Sequence, residues 1–415
     1  MRAPSLPALL LTAGLLVGAT VLGAGLLQPE TGAAGTAPAA SAPAQVETTE
    51  AAPAAQAEAQ TAEAQPPSAA PETTLEASPP APEPEAATPP PPPPLPASAS
   101  VSGIRHEYQR LNNCGPVTVG MALSRWGGTL DQYDIAPRLK PNRGDVNVSP
   151  EELAAFARSQ GMDVHLATNG DRPLLKRLIA AGYPVVVETW FVTHDSGGMG
   201  HYRLLTGYDD AKGAFSALDS YLGPLSMPYA RFDELWRSFG RTFLVVSPPE
   251  QAGEVRELLG FRADPAAAKR EALRVAAAEA ERRQDAVGWL NLGQAKLAVG
   301  DARGAARAFD QAFAARPDPT LDPTRPARVV GGLPWRATWY TFGPLEAYTR
   351  TGRYADVLRL TNAVLRDAPA HEEALYWRGR ALSALGRTAG AKAAYREAVR
   401  LRPGYVRAQQ ALTSL

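Results

Sequence analysis

The residues from 29 to 100 consist almost entirely of Ala, Pro, Glu, Thr, Ser and Gln, and they include a run of prolines at 89–94. Such a segment has too few large apolar side chains to offset the entropy that a chain loses when it becomes ordered. We therefore expect a disordered linker, partly in the polyproline II conformation, that divides the chain into unlike parts. A docking motif for proline-binding modules is an alternative interpretation of the proline run.

A nearly continuous apolar run, from Leu6 to Leu27, precedes this linker and follows the basic residue Arg2. At about 1.5 Å per residue in a helix, the run matches a bilayer core of about 30 Å. The same run also fits a long secretory signal that is removed by cleavage. Residues 1–28 are therefore predicted to be a signal peptide or an N-terminal membrane anchor, and both place the rest of the chain outside the cytoplasm.

The charge balance and the cysteine content exclude several classes of function. The chain has 42 basic and 42 acidic residues, so no basic excess indicates binding to nucleic acid. Contact with a membrane is expected only through residues 1–28. The single cysteine excludes an internal disulfide framework and cysteine-rich zinc sites, and no two histidines have the spacing of helical ligands. Neither a metal nor a cofactor is predicted.

That cysteine, Cys114, lies where a helix is predicted to begin. Pro116 fits the first turn of a helix, because its φ is fixed and its missing N–H has no partner there. Apolar residues then recur at helical spacing from Val117 to Trp126. The positive end of a helix dipole favours a thiolate, more so beside a histidine. The position predicts a nucleophile, although a lone cysteine is more commonly a small buried hydrophobic residue.

Two later segments are predicted to pair as a hairpin. Residues 197–208 form a strand that starts in a glycine-rich stretch and contains His201, and residues 214–220 form a strand that carries Asp219. With the turn centred near residue 211, Asp219 faces about residue 203, and His201 lies within diagonal reach of it. Because helices come first and antiparallel strands follow, residues 101–250 are predicted to form an α+β domain.

Nucleophilic catalysis by cysteine needs a base, a group that orients the base, and donors for the oxyanion. The sequence offers His201, Asp219 and Gln109 for these roles, with the Cys114 backbone N–H as a second donor. Each residue has an ordinary alternative: Gln109 as a turn residue, His201 as a core histidine, and Asp219 as a cap for the turn at Ser220. Three rival histidines have less well-placed partners, namely His106, His165 and His194.

The order of these motifs resembles that of papain-like cysteine peptidases, and it is most similar to the double-glycine (bacteriocin-processing) peptidases and their stand-alone relatives. The matching motifs are Asn113-Cys114-Gly115-Pro116 and Gly200-His201-Tyr202, and the resemblance covers about residues 103–247. It implies a papain-like fold and hydrolysis of peptide bonds by a Cys114–His201–Asp219 triad, with Gln109 at the oxyanion. Members of the family cleave leader peptides after paired small residues, usually as part of a transporter. No transporter domain or nucleotide-binding motif follows here.

From residue 266 to 415 the composition changes to Ala, Leu, Arg and Glu at helical spacing. Two segments, at 289–317 and 375–403, match the 34-residue tetratricopeptide pattern, and a degenerate copy lies between them. The spacing of the three copies is uneven, so the proline-rich residues 318–337 are interpreted as an insertion between repeats. The resemblance implies an all-α domain that docks a peptide or a protein, or one whose repeats only pack.

Together these features predict a multidomain protein in which an α+β, papain-like cysteine peptidase domain is followed by an all-α repeat domain. The predicted function is that of an exported cysteine peptidase, with a protein or peptide as its substrate and with repeats that bind a substrate or partner. Two alternatives keep the same fold. One is a catalytically silent, peptidase-like scaffold of the cell envelope, and the other is acyl transfer to an amine by the same triad.

Overall fold

The computed structural model describes residues 94–193, 197–329 and 331–415. The predicted signal or anchor at 1–28, most of the predicted linker and His194 lie outside these residues. The sequence predicts a linker up to residue 100, but Ser98–Ser100 form strand β1, which pairs with a central strand of the sheet, so folded structure begins earlier than expected. Among the helices that the structure describes, none is long and apolar enough to span a bilayer.

Four helices belong to the first part of the α+β domain. Helix α1 (Cys114–Ser124) begins at the cysteine, α2 spans Gln132–Leu139, α3 spans Pro150–Ser159 and α4 spans Arg172–Ala180. The start of α3 is fixed by a capping box, in which the side chains of Ser149 and Glu152 each accept the other's backbone N–H.

A seven-stranded antiparallel sheet forms the centre of the domain. Besides β1, its strands are β2 (Asp163–Ala167), β3 (Val185–Thr193), β4 (Gly197–Asp209), β5 (Ala214–Asp219), β6 (Gly223–Pro228) and β7 (Phe243–Ser247). The strand order is β2-β7-β3-β4-β5-β6, and β1 pairs with β4. The sequence does not predict β6, because its glycine and prolines are typical of loops. It predicts β3 only as far as Val187, although the residues that follow are mostly β-branched or aromatic.

Both faces of the sheet are buried, because alternate residues of its central strands point to opposite sides. Val186 and Leu204 pack with the apolar side chains of α1 and α3. Val185 and Leu205 pack instead with those of α4 and of α5 (Tyr229–Trp236). The sheet is therefore held between two helical layers, and β4, which carries His201, lies in its middle.

Helices α6 (Ala252–Leu259) and α7 (Pro265–Arg283) lead into three helical pairs, which are the three predicted repeats. The glycines that mark the repeat spacing, Gly300, Gly352 and Gly386, each turn the chain between two helices with φ of 91°, 76° and 70°. The pairs are α8 (Ala286–Ala298) with α9 (Ala302–Ala314), α10 (Gly343–Arg350) with α11 (Tyr354–Asp367), and α12 (Glu372–Ala384) with α13 (Thr388–Leu401), and α14 (Val406–Thr413) follows.

The predicted insertion connects α9 to α10, and we call residues 318–329 and 331–341 the inter-repeat segment. It is largely irregular, with one short 3-10 turn at Ala337–Trp339. The segment packs on the β3–β4 hairpin of the α+β domain, where the Trp190 indole N–H donates to the Leu321 carbonyl at 2.7 Å. Arg336 donates to the Gly198 carbonyl of the same hairpin at 3.1 Å. The repeats therefore contact the α+β domain through a segment that ordinary repeats of this period do not contain.

Candidate active site

The Cys114 thiol and the His201 imidazole lie close enough for each to shift the pKa of the other, although they are 87 positions apart in the sequence. The chain turns sharply just before α1, since Asn112 has a φ of 57°, which asparagine tolerates. This turn sets Cys114 at the first position of the helix. The thiol is partly exposed, His201 is buried, and both line a cavity of about 330 Å³. The predicted nucleophile and the predicted base therefore lie together.

His201 is held in place by Asp219, which is the predicted orienting group. Its Nε2 lies 3.0 Å from Oδ1 of Asp219, so Nδ1 is the ring nitrogen that faces the thiol. The same Oδ1 accepts the backbone N–H groups of Tyr221 (2.7 Å) and Leu222 (2.9 Å). Asp219 is completely buried. Its carboxylate therefore both orients the imidazole and caps the turn after β5, which were alternatives in the sequence analysis.

Arg203 completes the chain of contacts, and the sequence analysis did not single it out. It faces Asp219 across the β4–β5 pair, as the predicted register requires, and its Nε lies 2.8 Å from Oδ2 of Asp219. Its guanidinium also donates to the Thr189 hydroxyl and lies over the Phe191 ring. The predicted pairing of residue 203 with Asp219 could have identified Arg203 as a site residue, because a buried carboxylate needs a cation or several hydrogen-bond donors.

Gln109 lines the same cavity as Cys114 and His201. Its backbone N–H donates to the Ser220 carbonyl, and its side-chain oxygen accepts from the Ser220 hydroxyl, both at 2.7 Å. The oxygen is thus engaged, which leaves the amide nitrogen as the end of the side chain with hydrogens to donate. The Cys114 backbone N–H has no intrahelical acceptor, because it belongs to the first turn of α1.

The surroundings stabilise the charged forms of the thiol and the imidazole. Burial by itself raises the pKa of Cys114, but the His201 hydrogen bond and charge, the Tyr202 backbone N–H and the charge of Lys140 together lower it. Burial lowers the pKa of His201, but the hydrogen bonds to Asp219 and Cys114 raise it overall. Burial also opposes ionisation of Asp219, yet His201 and Arg203 hold the pKa of that carboxyl well below its usual range. A thiolate–imidazolium pair is therefore favoured.

Two further residues line the cavity and were not predicted. Glu188, on β3 opposite Tyr202, is buried, and burial together with the Cys114 charge raises its pKa well above the usual range. Tyr340 comes from the inter-repeat segment. Its pKa is raised chiefly by burial and then by the Cys114 charge. The cavity therefore favours the neutral form of both side chains beside the thiol.

The rival histidines have other positions. His106 lies near the site, but its Nε2 is 3.0 Å from the backbone carbonyl of Asp219. His165 lies on β2 and lines a second cavity. Within the described ranges, no group of three or more His, Cys, Asp or Glu side chains is arranged to hold a metal ion.

Several solved structures are similar to parts of the chain. A C39-like peptidase from Bacillus anthracis is 19% identical, covers 36% of this chain and 96% of its own, and has a TM-score of 0.31. The peptidase domain of Streptococcus ComA, a bi-functional ABC transporter, is 15% identical over 35% of this chain and 99% of its own, with a TM-score of 0.30. YrrB, a TPR protein with an unusual peptide-binding site, is 16% identical over 40% of this chain and 73% of its own, with a TM-score of 0.28.

The family comparisons assign the two regions. No curated protein matches the sequence. Residues 101–243 match the family model of the Peptidase_C39 like family, and residues 372–405 match that of the tetratricopeptide repeat. The chain therefore carries a C39-like peptidase domain followed by a helical tetratricopeptide-repeat region.

Proposed function

We propose that this protein is a cysteine peptidase that hydrolyses peptide bonds through Cys114, His201 and Asp219. The observation that carries the proposal is the arrangement of a partly exposed thiol and a buried imidazole in one cavity, with a buried carboxylate 3.0 Å from the imidazole. A structural cysteine needs none of these partners. A cysteine nucleophile needs all of them, because its thiolate must exist near neutral pH and its base must keep one orientation.

In the first half of the reaction, the Cys114 thiolate attacks the carbonyl carbon of the scissile bond and forms a C–S bond. The carbonyl oxygen becomes an oxyanion, for which the Cys114 backbone N–H and the Gln109 amide are the proposed donors. The His201 imidazolium then gives its proton to the leaving nitrogen, and the C–N bond breaks. Asp219 stabilises the imidazolium and keeps its Nε2 engaged.

In the second half, water attacks the thioester carbon while His201 takes one of the water protons. The C–S bond then breaks, which restores the thiolate–imidazolium pair. The carboxylic acid product leaves and releases its remaining proton to solvent. No further cofactor is needed to balance these steps, since water is the only co-reactant.

The repeats are proposed to hold the substrate polypeptide beside this site. A second cavity, of about 450 Å³, lies between the edge of the sheet and helices α7 and α8. Glu188 and Tyr340 line both cavities, so the groove along the repeats meets the catalytic cavity at these two residues. A peptide held in the second cavity is therefore brought up to the wall of the cavity that contains Cys114.

The test is cleavage of a proteome-derived peptide library by the full chain, with new termini identified by mass spectrometry. Wild-type protein should generate termini that the Cys114→Ala variant does not. Equal cleavage by both proteins would contradict the proposal. So would the absence of cleavage by wild-type protein whose thiol still reacts with iodoacetamide. Either result would leave a peptidase-like scaffold as the function. Incorporation of a fluorescent amine that depends on Cys114, without hydrolysis, would instead indicate acyl transfer.

An extracytoplasmic location is part of the same proposal, and its support is the apolar run from Leu6 to Leu27 behind Arg2. Residues 1–28 fused to a reporter enzyme that is active only outside the cytoplasm should give activity. A fusion with two arginines in the middle of the run serves as the matched control and should be silent.

A further inference from the structure

The glycine-rich start of β4 makes room for the inter-repeat segment. A Cβ atom added at Gly197 would clash with the Thr324 hydroxyl, and one added at Gly198 would clash with both the Trp190 indole and the Leu321 carbonyl oxygen. Gly197 also has a φ of 74°, in the left-handed region that glycine adopts without strain. The two glycines therefore leave the space that Trp190 and the inter-repeat segment occupy beside β4.

Tyr340, near the end of the inter-repeat segment, lies directly beside the catalytic histidine. Its hydroxyl lies beside the backbone N–H of Gly200, the residue that precedes His201. Its ring packs against Trp190 and Phe239, with centroids 6.2 Å and 6.0 Å away. A Cβ atom at Gly200 would come within 3.2 Å of the ring. The ring is thus fixed on three sides by the peptidase domain, although it belongs to the repeat region.

The position of this ring separates two spaces. Tyr340 lines the 330 Å³ cavity that contains Cys114, and it also lines the 450 Å³ cavity beside α7 and α8. Of the side chains that line both, Glu188 comes from the sheet and Tyr340 from the repeat region. Truncation of Tyr340 would therefore join the two spaces next to the thiol.

We propose that Tyr340 is a specificity-determining residue, whose ring limits the size of the substrate side chain that fits next to Cys114. The inference rests on the proposed function, because it concerns the substrate of the same site. It means that the repeat region takes part in substrate selection at the reacting bond itself, in addition to any docking along its groove.

The experiment compares two chloromethyl ketones on the full chain, acetyl-glycyl and acetyl-phenylalanyl chloromethyl ketone. Each places its side chain next to the carbon that the thiolate attacks; the C–S bond forms, the C–Cl bond breaks, and chloride leaves. The measured quantity is the ratio of the Phe-reagent rate to the Gly-reagent rate at Cys114. The Tyr340→Ala variant should raise this ratio about tenfold or more, because the bulky side chain then enters the joined cavity.

Two further variants separate ring size from stability. Tyr340→Phe keeps the ring and should keep the wild-type ratio, whereas Tyr340→Leu should give an intermediate one. Phe342→Ala is the matched control, since Phe342 is two residues away but its ring faces His371 in the repeat region, at 5.8 Å. This variant should leave the ratio unchanged even where it lowers the melting temperature.

An unchanged ratio in Tyr340→Ala would overturn the inference, and so would an equal rise in Phe342→Ala. Failure of the proposed function has a different signature, because alkylation needs a reactive thiol but no turnover. A shifted ratio in a protein that hydrolyses no peptide would retain the inference about the cleft and reject the peptidase activity.

Discussion

Arg203 and Asp219 face each other across strands β4 and β5, with Nε of the arginine 2.8 Å from Oδ2 of the aspartate. Both side chains are almost completely buried. The other carboxylate oxygen, Oδ1, is the one that binds His201. The ion pair therefore fixes the group that in turn fixes the imidazole, and it connects the stability of the sheet with the geometry of the site.

The Arg203→Met variant should lose both stability and thiol reactivity. Breaking a buried pair leaves a buried carboxylate without its cation, which costs about 3–5 kcal/mol. The pKa of Asp219 should rise, because the arginine charge helps to keep it low. We expect a lower melting temperature, measured by circular dichroism, and slower iodoacetamide alkylation of Cys114.

The matched control is Lys176→Met, which removes the 2.6 Å pair between Lys176 and the more exposed Asp210. Pairs near the surface contribute about 0–1 kcal/mol, so both readouts should stay close to wild type. An Arg203→Met protein as stable as this control would mean that Asp219 does not depend on the arginine.

The start of helix α1 and the pairing register of β4 with β5 can be predicted from the sequence, because each depends on nearby residues. Pro116 and the helical spacing behind it place the start of α1, and the turn at 209–213 sets which residues of β4 and β5 face each other. The residue opposite Asp219 is 203, as the turn position predicts. Gly300, Gly352 and Gly386 recur with the repeats, and each provides a positive φ between paired helices.

The contacts that join distant segments of the chain cannot be predicted from the sequence in the same way. Tyr340 has no sequence feature that places it at the cavity of Cys114, since its position depends on how the inter-repeat segment lies on the β3–β4 hairpin. Glu188 is a lone acidic residue within a β-branched and aromatic stretch, and its side chain reaches the cavity only through the pairing of β3 with β4. Strand β6 (Gly223–Pro228) begins with glycine and contains two prolines, which is tolerated because it is at the edge of the sheet.

The pH dependence of Cys114 alkylation should show whether His201 lowers the pKa of the thiol. With a thiol pKa below its ordinary value and a histidine pKa above its own, the wild-type protein should react at a lower pH than an ordinary thiol does. In His201→Ala the burial of the thiol is no longer offset by the histidine. The midpoint of the profile should then move to higher pH, and the rate at pH 7 should fall by about 10- to 100-fold.

His165→Ala is the control for this profile, because His165 lies on β2 at the other cavity. Its midpoint should coincide with that of the wild-type protein. A His201→Ala profile that also coincides with wild type would show that the imidazole does not activate the thiol.

Replacement of glycine by alanine should change the stability of the protein in opposite directions at two helical positions. A Cβ atom at Gly379 would lie 2.5 Å from Cε1 of Tyr395, which is buried between α12 and α13. Gly379→Ala should therefore destabilise the protein by about 1–3 kcal/mol. In Gly253→Ala, on α6, the new methyl group meets nothing within 4 Å, and the helix should gain about 0.5–1 kcal/mol. Melting temperatures that shift in the same direction would contradict this account.

The last prediction concerns a buried group of charges where the peptidase domain meets the repeats. Asp145, in the loop before α3, is 2% exposed and accepts the Asn147 N–H at 2.8 Å. Burial, and then the charges of Glu373 and Glu152, raise the pKa of Asp145 to about 7. The groups that face it from the packed elements are Glu152, His371, Glu372, Glu373 and Arg402.

Because this pKa exceeds the unfolded value of about 3.9, the folded protein holds a proton that the unfolded chain releases between those pH values. The contribution of Asp145 to stability is thus complete below about pH 4 and is lost as the pH rises through 7. Asp145→Asn removes this loss, so its melting temperature should equal that of wild type near pH 4 and exceed it increasingly up to about pH 8. Asp209→Asn is the matched contrast, since hydrogen bonds from Lys212 lower the pKa of the half-buried Asp209. This variant should become less stable than wild type above about pH 4. If the difference in melting temperature between Asp145→Asn and wild type does not change with pH, the prediction is wrong. The carboxyl of Asp145 would then be ionised equally in the folded and unfolded chains, and the contact between the two domains would take up no proton at Asp145.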